Sequence, residues 1–395
     1  MLFRLTTLAL VLLLSLGLLL SLSLLTRSTV AESAADYFNS GRAKASKGDM
    51  NGAIADYTRA IEINPELVMV YATRGMAKHV NGDQIGAFAD FDQAIKLNPK
   101  FATTYKFRGM VKIDTGDLDG AIADLDRAIE LAPKSATAYD IRGTVKETKD
   151  DLDGALADFS RAIELDPTSC DVYFHRGLVK NSQHDLDGAI ADFGRAIAID
   201  PKFATAYSLR GSVKADKGDS GGAIADFTRA IELDPKLDSA YLSRGVSRHL
   251  KRDWKNALAD YQRCCELSPD KDPDYPHLFI WLIRTRLGEG EDANKELATF
   301  LSKRTTAVPG DWGSKVVGHL LGTITEAELF AAAASPDAKE DRGQRCEAWF
   351  YAGMKKLLSG DRKTAAEYFR NCLATEQKDY LEYQFSESEL KVLGE

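Results

Sequence analysis

GAIADFTRAIELDP, residues 222–235, reads as one amphipathic helix ending in a proline. The chain repeats it as GAIADYTRAIEINP at 52–65, GAIADLDRAIELAP at 120–133, GALADFSRAIELDP at 154–167 and GAIADFGRAIAIDP at 188–201, always at 34 residues or a multiple of 34. A fixed period of that length marks an array of small units that cannot hide their apolar faces alone. At 395 residues the chain also exceeds the size at which one core stops growing, and a stack avoids that limit.

Starting at Ala34, seven units run without insertion to residue 271. Tyr recurs from Tyr37 to Tyr241, Gly from Gly41 to Gly245, Ala from Ala53 to Ala257 and Pro from Pro65 to Pro269, each column in step. Ala53, Ile54, Tyr57, Ala60 and Ile61 fall on one side of a helix. Asp49 and its six equivalents stand at an N-cap, and the preceding residue is Gly in four units, which suits the close of a helix. The proline stops the second helix through the residue before it. Each unit is therefore predicted as helix, tight turn, helix, stop. The Gly and Ala columns are small because two helices approach there.

Two charged columns accompany these. Arg74, Arg108, Arg142, Arg176, Arg210 and Arg244 precede the Gly, and Asp56, Asp90, Asp124, Asp158, Asp192, Asp226 and Asp260 precede the aromatic or Leu of the second helix. An antiparallel pair brings such an Arg and Asp together, and their presence in every unit but the first reads as a structural ladder. A ligand site would be local.

This register of Tyr, Gly, Ala, aromatic, Ala and Pro resembles the tetratricopeptide repeat family. The resemblance implies an all-α fold, an α-solenoid in which stacked helix-turn-helix units form a right-handed superhelix, with the first helices lining a groove. The sequence departs from the family at the eleventh place, where a frequent aromatic is Lys44, Lys78, Lys112, Lys146, Lys180, Lys214 and Arg248. By the family's geometry, groove-facing residues are Phe38, Arg42, Met69, Met76, His79, Lys106 and Met110 in the first three units, and Phe174, Leu178 and Asn181 in the fifth. Packing between neighbouring helices is the other role open to them. The clamp by which some members grip a terminal carboxylate, a Lys and Asn pair, has Phe38, Arg42, Met69 and Thr73 at its places.

Beyond Pro269 the period lapses. Residues 272–345 read as a degenerate eighth unit (275–304), two short packing helices and a solvated loop, SPDAKEDRGQR, at 335–345. Residues 346–395 read as a ninth unit and a helix that covers the last open face. Cys346 is expected to open one helix of that unit and Cys372 to close the other, so that they meet either as a disulfide or as two buried thiols. The whole tail resembles envelope repeat proteins of the new-lipoprotein-I type, which implies a periplasmic adaptor gathering proteases and cell-wall hydrolases. The first cysteine is Cys170, so the lipid-attachment cysteine of that type is missing.

Residues 1–31 carry no charge between Arg4 and Arg27 and are rich in Leu. They read as a signal peptide cleaved after Ala31 or as a retained signal anchor, with membrane contact only through residues 5–25. The expected location is exported, either periplasmic or secreted or anchored in the inner membrane facing the periplasm. A net charge of -8 disfavours nucleic acid as a partner. The six histidines are scattered, and neither a nucleophile elbow nor a phosphate loop occurs. The sequence thus points to a non-catalytic scaffold without cofactor or metal whose partners are proteins. Its alternative is a membrane-anchored component that assembles with copies of itself.

Overall fold

Every second helix begins at the aspartate that the repeat pattern places at its N-cap. In this computed structural model, which describes residues 33–268, 274–303 and 311–394, Asp49 accepts the Gly52 amide at 2.9 Å and Asp83 that of Gly86 at 2.8 Å. The same bond recurs in the next four units. The turn just before each cap needs a left-handed residue. Gly48, Gly82, Gly116 and Gly218 provide it at φ between 82° and 87°, while Asp150, His184 and Arg252 adopt it at 60–64° against the preference of a side chain.

The helices are α1 (Ala34–Ala45), α2 (Met50–Ile63), α3 (Val68–Val80), α4 (Gln84–Leu97), α5 (Ala102–Asp114), α6 (Leu118–Leu131), α7 (Ala136–Thr148), α8 (Leu152–Leu165), α9 (Cys170–Ser182), α10 (Leu186–Ile199) and α11 (Ala204–Asp216). They continue as α12 (Ser220–Leu233), α13 (Asp238–Leu250), α14 (Trp254–Leu267), α15 (Asp274–Arg286), α16 (Gly290–Lys303), α17 (Trp312–Leu321), α18 (Glu326–Ala332), α19 (Ala338–Leu358), α20 (Arg362–Leu373) and α21 (Leu381–Leu393). No strand occurs among the described residues. The fold is all-α, a solenoid of stacked helix pairs, and it divides into two bodies after Pro167, within the run of exact repeats. The stretch at 1–31, expected to be a signal peptide or anchor, lies outside the described residues, and among those described no helix is long and apolar enough to cross a membrane.

The first body holds four repeat units. Each buries Ala and an aromatic or Leu completely, as at Ala53 and Tyr57, Ala87 and Phe91, Ala121 and Leu125, Ala155 and Phe159. A side chain on Gly75 would stand 2.7 Å from the Phe91 ring, which is why the column stays Gly. Small interface cores result, such as Ala53, Tyr57 and Ala60 with Val70 and Ala77 of the following unit. First helices touch in succession, α3 with α5 and α5 with α7, and present one inner face.

The second body contains the last three exact units and the divergent end. The expected eighth unit is α15 with α16, where buried Trp281 donates to Asn294 at 2.8 Å in place of the Gly contact. The two expected short helices are α17 and α18, and α19 pairs with α20 as the ninth unit. One expectation is overturned, because the stretch read as a solvated loop is helical from Ala338. Asp337 caps the amides of Lys339 and Glu340, and Asp341 pairs with Arg345 one turn on at 2.8 Å. Local capping and spacing of this kind support a helical turn that has no apolar stripe. Cys346 consequently sits inside a 21-residue helix and does not open it.

Candidate partner-binding surface

The flank of the array is internally satisfied. Arg74 grips Asp90 with Nε at 2.8 Å and Nη2 at 2.7 Å, and the same two-pronged bond joins Arg108 to Asp124, Arg142 to Asp158, Arg176 to Asp192, Arg210 to Asp226 and Arg244 to Asp260. These aspartates are nearly buried, and a planar fork suits such a place. The eleventh-place cation explains the departure from the family, since Lys78 reaches Asp90 at 2.9 Å and Lys112 reaches Asp124 at 2.8 Å. Arg248 does the same for Asp260 at 2.7 Å. Asp56, with Ser40 where the arginine would stand, keeps Lys44 at 2.7 Å. The remaining arginine nitrogen reaches one unit back, from Arg74 to Thr58 at 3.1 Å and from Arg244 to Thr228 at 3.1 Å. Sequence reading found the ladder but gave the Lys column no role, although its constant distance of twelve residues from Asp was visible.

The inner face of the first body is different. Arg42 is exposed and lies over the Phe38 ring at 5.9 Å, while Phe38 packs against Tyr57 at 5.8 Å. Met69 is 41% exposed. Met76 packs against Phe91 and Val111, so its main role is between helices. His79 Nε2 meets Asp114 Oδ2 at 2.7 Å and ties α3 to α5. Lys106 donates to the Thr137 hydroxyl at 3.2 Å, and partial burial lowers its pKa. Met110, on the same helix, is half-buried. These residues thus share consecutive first helices, with Phe38 and Met76 partly turned to packing.

In the second body all three predicted residues lie on α9. Phe174 contacts Phe193 at 5.8 Å and Phe203 at 4.8 Å, Leu178 joins the same core, and Asn181 is half-buried with its carbonyl accepting the His184 amide. Further along, α21 lies against α13, α15 and α19. Phe385 stacks on His249 with ring centroids 4.1 Å apart and meets Phe279 edge-on at 5.2 Å. Glu389 receives Arg252 and Arg286, both at 2.8 Å. His249 occupies a place that faces the groove by the family's geometry, so a helix of the chain itself covers this part of the inner face. Burial, then Arg286 and Arg252, push the His249 imidazole down to about 3. Sequence reading expected a covering helix but not its seat, which depends on contacts 103 and 137 residues apart.

Cys346 and Cys372 do meet, with Sγ atoms 3.3 Å apart, both buried and both present as free thiols. Bonding from Cys372 lowers the Cys346 thiol, and the Cys372 thiol is raised well above its usual range by Cys346 first and then by burial.

The repeated helix pairs, their closed flank and their varied inner face define a repeat scaffold. A profile of the tetratricopeptide repeat matches residues 86–136, 108–170, 175–238 and 209–273, and a second such profile matches 37–67. The chain belongs to the tetratricopeptide repeat family. Among solved structures it is similar to MamA, at 31% identity over 41% of this chain and 95% of that one, with a TM-score of 0.39. It is similar also to YrrB, described as a TPR protein with an unusual peptide-binding site, at 25% identity over 47% of this chain and 95% of that one, TM-score 0.41. A tetratricopeptide repeat protein from Parabacteroides merdae is 17% identical over 64% of this chain and 99% of that one, TM-score 0.45. Proteins of the family are in general non-catalytic and bind peptides or proteins; this chain is a protein–protein interaction scaffold.

Proposed function

We propose that the chain is a non-catalytic adaptor of the bacterial cell envelope that holds a segment of a partner protein against its inner faces. The observation that carries this reading is the contrast between flank and inner face. Ladder charges are consumed by one another, whereas among the described residues exposed Arg42 and the partly buried Lys106 amine meet no carboxylate, and Met69 is exposed. Apolar side chains beside cations that meet no carboxylate among the described residues suit an acidic or amphipathic peptide. The leader-like sequence at 1–31 and the likeness of the tail to envelope adaptors support export, with envelope proteases or cell-wall hydrolases as the partners that likeness implies. In an oxidising compartment, loss of two electrons and two protons to a thiol oxidant would join Cys346 and Cys372, which peptide mapping without reductant reads directly.

The test is affinity capture from an envelope extract with Arg42→Glu, Lys106→Glu and Met69→Ala combined. Loss of the captured proteins with helicity unchanged supports the reading. Recovery of the same proteins in the same amounts removes the first body's inner face from the proposal.

A further inference from the structure

Helix α21 covers only part of the second body's inner face. Where its first turn ends, a cavity of about 260 Å³ opens between α11, α13 and the start of α21. Leu242, Val246 and Leu250 of α13 form its apolar floor, at places five, nine and thirteen of their unit, and Leu381 forms a wall. Two carboxylates stand on its lining, Asp216 from the end of α11 and Asp379 from the turn before α21.

Neither carboxylate has a hydrogen bond or an ion pair with a Lys or Arg among the described residues. This is unusual in a chain where every ladder aspartate has found a cation. Asp114, at the thirteenth place of the third unit as Asp216 is of the sixth, bonds His79 at 2.7 Å. At Asp216, burial and the like charge of Asp379 raise the carboxyl, and the His184 imidazole only partly offsets them. Two carboxylates on the lining of one hollow, above an apolar floor and beside Ser212, Ser243 and Gln384, are relieved by a cation placed between them, and the floor suits the methylenes behind such a cation.

We propose that this cavity receives the side chain of a Lys or Arg carried by an otherwise apolar partner segment, its stem on Leu242, Val246 and Leu250 and its charged head between Asp216 and Asp379. The inference rests on reading the inner faces as docking surfaces and adds the chemistry of one anchor residue.

Random peptides of about twelve residues displayed on phage are selected on the immobilised full chain, and the most enriched are synthesised and titrated by fluorescence anisotropy. Selected peptides should carry a Lys or Arg beside apolar residues. Affinity should fall about tenfold or more in Asp216→Asn/Asp379→Asn, and equally when the peptide cation becomes norleucine. Combining the two changes should cost little more than either alone, because both remove one interaction. Both aspartates keep contact with solvent, Asp216 being only partly covered, and neither holds a hydrogen bond among the described residues, so circular dichroism and Tm should stay at the parent values. Peptides that bind equally with and without the cation, or equally to the variant, overturn the anchor while leaving the docking surface standing. If nothing is enriched over an unrelated helical protein, the docking surface falls with it.

Discussion

The first body distributes its apolar surface over small cores, such as Tyr71, Ala72 and Ala94 or Ala87, Phe91 and Val111, and the exact repeats of the second body do the same, as at Ala189, Phe193 and Val213. In the second body one continuous core runs from Ala257 and Tyr261 through Phe279, Trp281 and Phe350 to Phe385 and Leu390. A repeat unit is satisfied by its immediate neighbour, so stability there is a sum of near-identical terms. At the divergent end α21 lies over the preceding helices and is held by contacts distant in sequence. The two bodies therefore differ in how far a single change should spread.

The largest effect is expected at Phe385, which is 2% exposed and touches His249, Phe279 and Phe350 at once. Phe385→Ala should destabilise the second body by about 3–5 kcal/mol. Hydrogen exchange read by mass spectrometry should show faster exchange along α13, α15, α19 and α21, with α1 to α8 unchanged. Equal acceleration in α1 to α8 would break the distinction drawn between the bodies.

Within the ladder, Asp158→Ala leaves Lys146 without its carboxylate and Arg142 with only the half-exposed Asp126 at 2.6 Å, both cations being about a fifth exposed. A loss of about 2–4 kcal/mol is expected in urea unfolding, below that for a fully buried pair because both cations keep some water. Asp56→Ala is the comparison, since Asp56 has no arginine and its Lys44 is 40% exposed. Its cost should be under about 1 kcal/mol. Equal losses would show that the two-pronged arginine adds nothing beyond the lysine.

Nearly all of the array was legible in the sequence because each column answers a contact within one unit or to the next. Gly75 faces Phe91, Asp83 caps Gly86, and Arg74 finds Asp90 sixteen residues on. Periodicity exposes such short-range rules by repeating them. The seat of α21 obeys no period. His249, Arg252, Arg286 and Glu389 occur once each, and only the folded chain shows them as one cluster. The start of α19 was missed for another reason, as its first two turns owe their helicity to caps and ion pairs and carry no apolar stripe. The candidate inner-face residues were legible as positions, but not as to which would be claimed by packing. Met76 and Phe174 sit where a neighbouring aromatic happened to lie within reach.

The same cluster gives the second body its own acid response. His249 is buried, and its folded pKa of about 3 lies below the ordinary 6.5, so the folded state holds it neutral. The stability this provides is present above pH 6.5 and is lost as pH falls toward 3, amounting to about 2 kcal/mol by pH 5. Burial and then Glu347 act oppositely on Glu382, raising it to about 8, so its share is present below pH 4.5 and lost as pH rises through 8. His249→Phe preserves a ring for Phe385 to stack on. The difference between parent and variant unfolding free energies should therefore grow in the variant's favour from pH 7 to pH 5. A constant difference would mean that His249 takes up its proton without opening the cluster.

The smallest effect separates two units of the second body that differ by one residue. Asp219 accepts the Gly222 amide at 2.9 Å, and Asp219→Ala should cost about 1 kcal/mol. In the next unit Asn256 replaces that glycine, and its side chain takes both oxygens of Asp253, at 3.0 and 2.8 Å, leaving no side-chain cap on the backbone. At the glycine positions an added side chain would collide with the capping carboxylate, which accounts for the exchange. Asp253→Ala should accordingly cost only a few tenths of a kcal/mol, and in an Asn256→Gly background its cost should rise to that of Asp219→Ala. If the cost stays small with glycine in place, the cap bond is not what stabilises these helices, and the weight of the column shifts to the charge of Asp at the helix N-terminus, which added salt would then weaken.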